Sequence, residues 1–450
     1  MNTPASPQIP VNSDVKHRHR AEMSAAEWKA ATRFDSTDWG WVIMSIGMAI
    51  GAGIVFLPVQ VGLSGLWVFL LSSAIGYPAM YLFQRLFIHT LAASEECTDY
   101  PGVIAGYLGK NWGMLLGVLY FVMLVIWVFV YSTAITNDSA SFLHTFGITS
   151  GLLSDNPLYG LILIIGLVAL ASRGEQLLFK IASGMVLTKL AAVAILGLLM
   201  VDNWDLNNIS AAPPAARFIE QSIVMLPFTL TSILFIQSLS PMVISYRARE
   251  KSIEIAHFKA MRAMNIAFGI LFVVVFFYAI SFTLAMGHDQ AVKAHEQNIS
   301  ALAMVAQSTH ITEHGISSHI VKLISLILNI FAVMTAYFGV FLGFREACQG
   351  IALNLLRRVT PEERINKKLV ATGILVFAVL VSWGAIVLNA PVLGFTSICS
   401  PIFGLVGCLI PAYLVYRVEA LHQYKGISLM IIIATGILLL ISPFLAFMTH

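Results

Sequence analysis

The chain has 450 residues, of which 58% are hydrophobic and 11% charged, with a formal net charge of +3. A water-soluble domain usually carries about 25% charged residues, so this composition excludes an ordinary soluble domain and points to a polytopic, all-α integral membrane protein. A transmembrane β-barrel would read as short alternating segments, and a soluble catalytic domain would show a signature such as a Walker A loop, HExxH or GxSxG; the sequence has neither.

Residues 1–38 form a polar tail that lacks the apolar h-region of a secretory signal. Within it, SAAEWKAATR (residues 24–33) predicts a short helix, with Ser24 and Glu27 spaced as a capping box. Eleven apolar segments follow, near residues 40–60, 65–89, 113–142, 158–172, 181–200, 220–244, 263–286, 319–344, 369–388, 393–416 and 427–447. The loop over 287–318 is long, polar and rich in histidine, with room for short helices. Cys97 and Cys348 fall in predicted loops, and Cys399 and Cys408 in one apolar segment, so no disulfide is expected. Both histidine clusters, in the tail and in the 287–318 loop, read as solvated surface.

Lysine and arginine set the orientation. With the N-terminus inside, the inner tail and loops hold 22 of the 26 basic residues, leaving Arg217, Lys293 and Lys322 outside and Lys189 within span 5. The positive-inside rule then places the N-terminus in the cytoplasm and the C-terminus outside. The basic excess is thus a topology signal with anionic lipid as its partner, and no nucleic-acid binding is expected.

Span 1 carries GMAIGAGIVFLP, residues 47–58, with Gly47, Gly51, Gly53 and Pro58. Glycine costs about 1 kcal/mol per interior helix position relative to alanine. Such residues serve close helix packing or mark a helix that unwinds. Span 6, IVMLPFTLTSILFIQSLSPMVISY, carries Pro227, Thr229, Thr231, Ser232, Gln237, Ser238, Ser240 and Pro241. It lies five spans later and so crosses in the opposite direction. Two interrupted spans at corresponding positions of two halves point to an inverted-repeat transporter. The repeats would be residues 39–200 (spans 1–5) and 219–417 (spans 6–10), joined by the outer loop 201–218 and followed by 418–450 with span 11. Unwound backbone must face protein or a watery cavity. There the N–H groups of a half-helix bind a carboxylate and freed carbonyls accept from an ammonium.

Lys189 sits eight residues from the inner end of span 5, roughly 12 Å deep at the α-helical rise. A lysine near mid-bilayer costs about 2.5–3.5 kcal/mol on insertion scales. No Asp or Glu lies at that depth in any span, and desolvation disfavours the charged form. These features suit a group that gains and loses a proton. Thr335 of span 8 is level with it. Asn329, also mid-depth, reads as an interhelical hydrogen bond. Asp138 lies 25 residues into span 3 and reads as a vestibule residue or solvated end. Tyr131 and Ser132 reach the depth of a cavity. Ser397, Ser400 and Pro401 interrupt span 10, as part of an outer gate or as a kink.

The strings FDSTDWGWVIMSIGMAIGAGIVFLPVQVGL, FVYSTAITNDSAS, FTLTSILFIQSLSPMVISYR and NAPVLGFTSICSPIFGLVGCLIPA resemble the hydroxy/aromatic amino acid permease family of the amino acid–polyamine–organocation superfamily. Within it they are most similar to the bacterial serine/cysteine permease branch. The resemblance spans residues 34–447. It implies a LeuT-like 5+5 inverted repeat with helices 1 and 6 broken. It implies that Ile50, Gly51, Ala52, Gly53 and Ile54 hold a substrate carboxylate. Carbonyls near Ala49 and span-6 residues, with Thr231, Ser232, Gln237 and Ser238 as candidates, would hold the amine, and Tyr131 would line the pocket. The stretch Ile236-Gln237-Ser238-Leu239 departs from the Asn-containing pattern that precedes Ser-Pro in serine and threonine permeases.

Related proton-driven carriers resemble this chain in having a lysine on the same helix. The Lys189 ammonium would occupy the place of the sodium ion in sodium-driven relatives, bridging carbonyls of span 1 and a hydroxyl of span 8. The implied function is proton-coupled import of a small hydroxy or thiol amino acid across the bacterial inner membrane by alternating access. Serine is the first choice, with cysteine and threonine close. An aromatic amino acid permease and a sodium symporter are the alternatives. No enzyme activity, metal or cofactor beyond the proton is expected, and spacing leaves substrate handedness and oligomeric state open.

Overall fold

The computed structural model describes residues 23–94, 100–172, 175–250, 252–307, 317–356 and 364–448. Cys97 lies outside this set. The first helix, α1 (Ala25–Ala31), is closed by a reciprocal capping box: the Ser24 hydroxyl accepts the Glu27 N–H at 3.2 Å, and the Glu27 carboxylate accepts the Ser24 N–H at 2.9 Å. The same device starts α2 (Ser36–Ala49). Asp35 accepts from the N–H groups of Thr37 and Asp38, and the Asp38 carboxylate accepts the Asp35 N–H at 2.9 Å.

The chain leaves the helix at Ile50 and Gly51 and resumes as α3 (Ala52–Ser64), bent by 45°. Gly65, at φ +93°, turns directly into α4 (Leu66–Ala92), a backbone angle that favours a residue without Cβ. Next come α5 (Tyr100–Leu108), the long α6 (Lys110–Thr145), α7 (Pro157–Ala171) and α8 (Glu175–Leu199). The second interruption separates α9 (Ala215–Thr231) from α10 (Ile236–Arg249). Then follow α11 (Ile253–Ala285), two short helices α12 (His288–Glu296) and α13 (Ala301–Gln307), α14 (Ser317–Leu356) and α15 (Lys367–Val387). Finally α16 (Val392–Phe403) passes through a π turn at Gly404–Leu409 into α17 (Ile410–Arg417), ahead of α18 (Ile427–Met448).

Among the described residues, eight helices are long and apolar enough to cross a membrane, and the bent α2–α3 pair makes a ninth. The eleven segments of the sequence count also include α7, 15 residues long, and the halves α9 and α10, of 17 and 14 residues, none of which spans alone.

The broken pair α2–α3 sits at the centre, packed against α8, α9, α11 and α14. Two close approaches need glycine there. A Cβ at Gly53 would lie 3.1 Å from the Thr231 carbonyl oxygen, so the two breaks touch backbone to side-chain position. A Cβ at Gly47 would lie 2.3 Å from a Val186 methyl on α8. Val42, Ile54, Val55 and Leu57 are fully buried around them. Large apolar side chains on α15 and α18, such as Leu380, Met430 and Phe444, point out of the bundle, where lipid replaces water as solvent.

The π turn follows Pro401, which cannot donate to the helix ladder. Ser400 donates to the Leu439 carbonyl at 2.7 Å, and Gly404 lies against the Gly436 carbonyl. This interruption therefore seats α16 on α18. Cys348, Cys399 and Cys408 are buried free thiols.

Candidate functional site at the two broken helices

The break in α2–α3 frees two carbonyls. In an unbroken helix Gly47 O would accept from Gly51 N–H, and Ile50 O from Ile54 N–H. Here Gly51 N–H donates to Ala49 O at 2.9 Å and Ile54 N–H to Gly51 O at 3.1 Å. Lys189 takes the place of both lost donors. Its Nζ donates to Gly47 O at 3.0 Å and Ile50 O at 2.9 Å, and to Thr335 Oγ1 of α14 at 3.0 Å. Thr335 in turn donates to Phe331 O at 2.6 Å, which orients its lone pairs toward the ammonium. Lys189 is 1% exposed, so its three N–H donors and their acceptors account for one another away from water.

A cavity of about 320 Å³ adjoins this bridge. Gly47, Ala49, Ile50, Gly51 and Gly53 form one wall, and Thr335 and Ala336 another, with Thr231 and Tyr131 between them. The Tyr131 hydroxyl lies 3.7 Å from where a Gly51 Cβ would be. A second cavity of about 270 Å³ adjoins it and shares Tyr120, Met123, Thr231, Leu234 and Phe403. Both are lined by α6; the first also by the middle of α14, at Thr335, Gly339 and Gly343, and the second by α4, at Met80, Phe83 and Phe87. On the far side, the space between Gly53, Phe56, Trp127, Phe228 and Thr396 is about 10 Å³, room for no more than about one water.

Not every expected residue faces this space. Ile54 is fully buried in the core. Ser232 donates to Thr229 O at 2.7 Å and lies 3.3 Å from the Tyr77 hydroxyl of α4. Ser238 donates to Phe235 O at 2.8 Å and meets Ser45 of α2 at 2.9 Å. Both hydroxyls are absorbed by helix contacts, because the local backbone at the break aims them at neighbouring helices. The side chains of Ala52 and Gln237 lie outside the described set.

Sequence reasoning missed the aromatic walls, Trp127, Tyr120 and Phe403. It also missed Gly339 and Gly343, whose spacing of four on α14 is a small-residue signal. Asp138 needs correction: it is fully buried, not a solvated end. Its carboxylate accepts Ser300 N–H at 2.8 Å and the Asn329 amide at 2.5 Å, and Asn329 also donates to Ser300 Oγ at 2.8 Å. The α12–α13 segment is thereby pinned to α6 and α14 on the far side, while His288 contacts Gly62 O of α3 at 2.9 Å.

On the tail side an ionic cluster ties the start of α2 to α10 and α11. Arg262 pairs with the buried Asp38 at 2.8 Å, and the Tyr246 hydroxyl donates to the same carboxylate at 2.5 Å. Arg249 and Lys259 hold Asp35 at 2.8 and 3.2 Å. Burial alone would raise the Asp35 carboxyl. Hydrogen bonds from the Asp38 and Thr37 backbone and from Arg249 and Lys259 outweigh it and hold the group well below the usual carboxylate range. Among the described residues no group of three His, Cys, Asp or Glu could hold a metal ion.

A family model described as amino acid permease matches residues 38–450. The chain belongs to the amino acid permease family. The permease is 73% identical over 428 residues to a serine transporter of Escherichia coli O157:H7, covering 95% of this chain and 96% of that protein. It is 27% identical to the serine transporter SdaC of Escherichia coli K12, over 89% of this chain and 93% of that one. Among solved structures, MhsT in complex with L-phenylalanine aligns over 91% of the permease and 97% of its own chain, with TM-score 0.54 and 13% identity. The inward-facing conformation of Mhp1 aligns over 92% and 90%, with TM-score 0.56 and 15% identity. The permease is thus a multi-pass membrane protein with the fold of these solved structures.

Proposed function

We propose that the permease imports serine together with a proton across a bacterial inner membrane by alternating access. The observation that carries the coupling is the Lys189 bridge, which joins both orphaned carbonyls of the first break to Thr335 of α14. A charged ammonium donates to all three acceptors. A neutral amine offers two N–H groups, so loss of its proton releases one acceptor and the charge that strengthens the rest. Gly47, Ile50 and Thr335 also line the cavity, so protonation and substrate binding act on the same backbone. The start of α3 offers unpaired N–H groups to a carboxylate. No metal or cofactor takes part, and the proton is the coupling ion.

Serine as substrate is supported by the 73% identical relative named a serine transporter. Cysteine and threonine present the same small polar group and are the nearest competitors. In this reading α7 is span 4 and the α9–α10 pair is span 6, giving eleven spans, with residues 39–200 and 219–417 as inverted repeats. The tail faces the cytoplasm, the C-terminus faces the periplasm, and the cavities open inward. The aromatic walls Trp127, Tyr131 and Tyr120 favour one second reading, an aromatic amino acid substrate. Equilibrium binding of labelled L-serine to the purified permease, with unlabelled tryptophan as competitor, separates the two. Serine binding unaffected by tryptophan supports the first; displacement by tryptophan at lower concentration than by serine supports the second.

A further inference from the structure

A separate cavity of about 260 Å³ opens on the tail side, away from the broken helices. It is lined by Arg85 and His89 of α4, by Tyr424 and Lys425 of the turn before α18, and by the first residues of α18. The Arg85 guanidinium lies 5.6 Å from the Tyr81 ring centroid, and Lys425 Nζ 5.5 Å from that of Tyr416. Among the described residues neither has a carboxylate within ion-pair distance, and no Asp or Glu lines the cavity. His89 stacks on Tyr424 at 4.1 Å and shares its Nδ1 with His257 Nε2 at 2.7 Å, which leaves its own Nε2 for the cavity. Gly426 and Ser428 open the 22-residue α18 into the same space. The Leu429 and Met430 N–H groups already share the Gly426 carbonyl, at 3.1 and 3.3 Å; those of Ile427 and Ser428 precede the helical ladder, and the helix dipole there favours an anion.

Gln423, whose amide donates to Ala420 O at 3.3 Å, adds one neutral polar group, and the rest of the lining is apolar: Leu82, Leu86, Leu429 and Ile432. Ile427 and Met430, 79% and 67% exposed, flank the opening on the outer face of the bundle. Arg85 lies seven residues before the end of α4, roughly 10 Å along the axis, the depth of a headgroup layer rather than of bulk water. Cations that no described carboxylate pairs with, above a largely apolar floor at a membrane boundary, match a lipid, whose phosphate and acyl chains present the same order of chemistry.

We propose that this cavity binds the phosphate of an anionic phospholipid headgroup. Arg85, Lys425, His89 Nε2 and the start of α18 contact the phosphate, and Leu82, Leu86, Leu429 and Ile432 contact the glycerol and first acyl carbons. The site does not depend on which substrate the permease carries. The test is native mass spectrometry of the full-length permease in detergent, titrated with phosphatidylglycerol or phosphatidylcholine. Tighter retention of phosphatidylglycerol is expected, reduced about five-fold for each charge removed in Arg85→Gln and Lys425→Gln, and kept in Arg85→Lys. Lys425 is exposed, so its variant reads the site even if Arg85→Gln fails to fold. Inorganic phosphate at millimolar concentration is expected not to displace the lipid. Equal retention of both lipids, unchanged binding in the double variant, or displacement by inorganic phosphate each overturns the proposal.

Discussion

Replacing Lys189 with methionine keeps most of the side-chain volume and removes all three donors. Gly47 O and Ile50 O then lose the partner that replaced their helical bonds. Each buried acceptor left unpaired costs about 1–3 kcal/mol. The ammonium itself had to be desolvated, at several kcal/mol per ion, and that cost disappears in the variant. The two changes oppose, so the net loss of stability is expected to stay within about 3 kcal/mol, and the variant should fold. Transport separates the coupling role from a structural one. A pH gradient of one unit carries about 1.4 kcal/mol per proton, enough for about ten-fold accumulation. Proteoliposomes with the wild-type permease should accumulate labelled serine to that level. Lys189→Met should only equilibrate it, while serine–serine exchange, which moves no net proton, persists. Gradient-driven accumulation by Lys189→Met would refute the coupling role.

Gly53→Ala places a methyl 3.1 Å from the Thr231 carbonyl oxygen; overpacking of this kind costs about 1–3 kcal/mol, so a lower melting temperature and slower uptake are expected, and wild-type values for both would show that the breaks need not touch. Asp138→Ala leaves the Ser300 N–H and one of the two Asn329 amide N–H groups unpartnered, the other still donating to Ser300 Oγ, at about 1–3 kcal/mol each. Thermal unfolding should fall accordingly, and a cysteine introduced at Ser300 should become reactive from the far side. Asp35→Asn should cost about 1 kcal/mol, since Asp35 is 30% exposed and screened. Its folded-state pKa is depressed, so the stabilisation is present above the unfolded value and is lost as pH falls through the folded one. Melting curves should therefore give the same Asp35→Asn penalty at every pH from about 8 to 5; a penalty that fades toward pH 5 would contradict the assignment.

The break at Gly51 was legible because glycine-rich stretches disfavour the helix wherever they occur. Lys189 was legible because a charge at mid-span has a depth that residue counting recovers. The exits of Ser232 and Ser238 were not. In a regular helix, spacing assigns a face, but across an interruption the local backbone decides where a hydroxyl points, and here Tyr77 and Ser45 receive them. Asp138 was misread for a related reason. At 36 residues α6 is about 54 Å long, so counting along it puts Asp138 beyond the hydrocarbon. What buries it is Ser300, 162 residues away on a segment that folds back over the bundle. The ends of α7, α9 and α10 fell near the expected boundaries, yet their lengths do not by themselves mark them as spans.

The central claim is most directly tested by uptake of labelled L-serine into proteoliposomes under an inward pH gradient, with and without sodium, against cysteine, threonine and tryptophan. The account predicts uptake that follows the proton gradient, ignores sodium, and is blocked by cysteine and threonine far better than by tryptophan. Uptake that requires sodium, or no serine uptake with tryptophan carried instead, would contradict it.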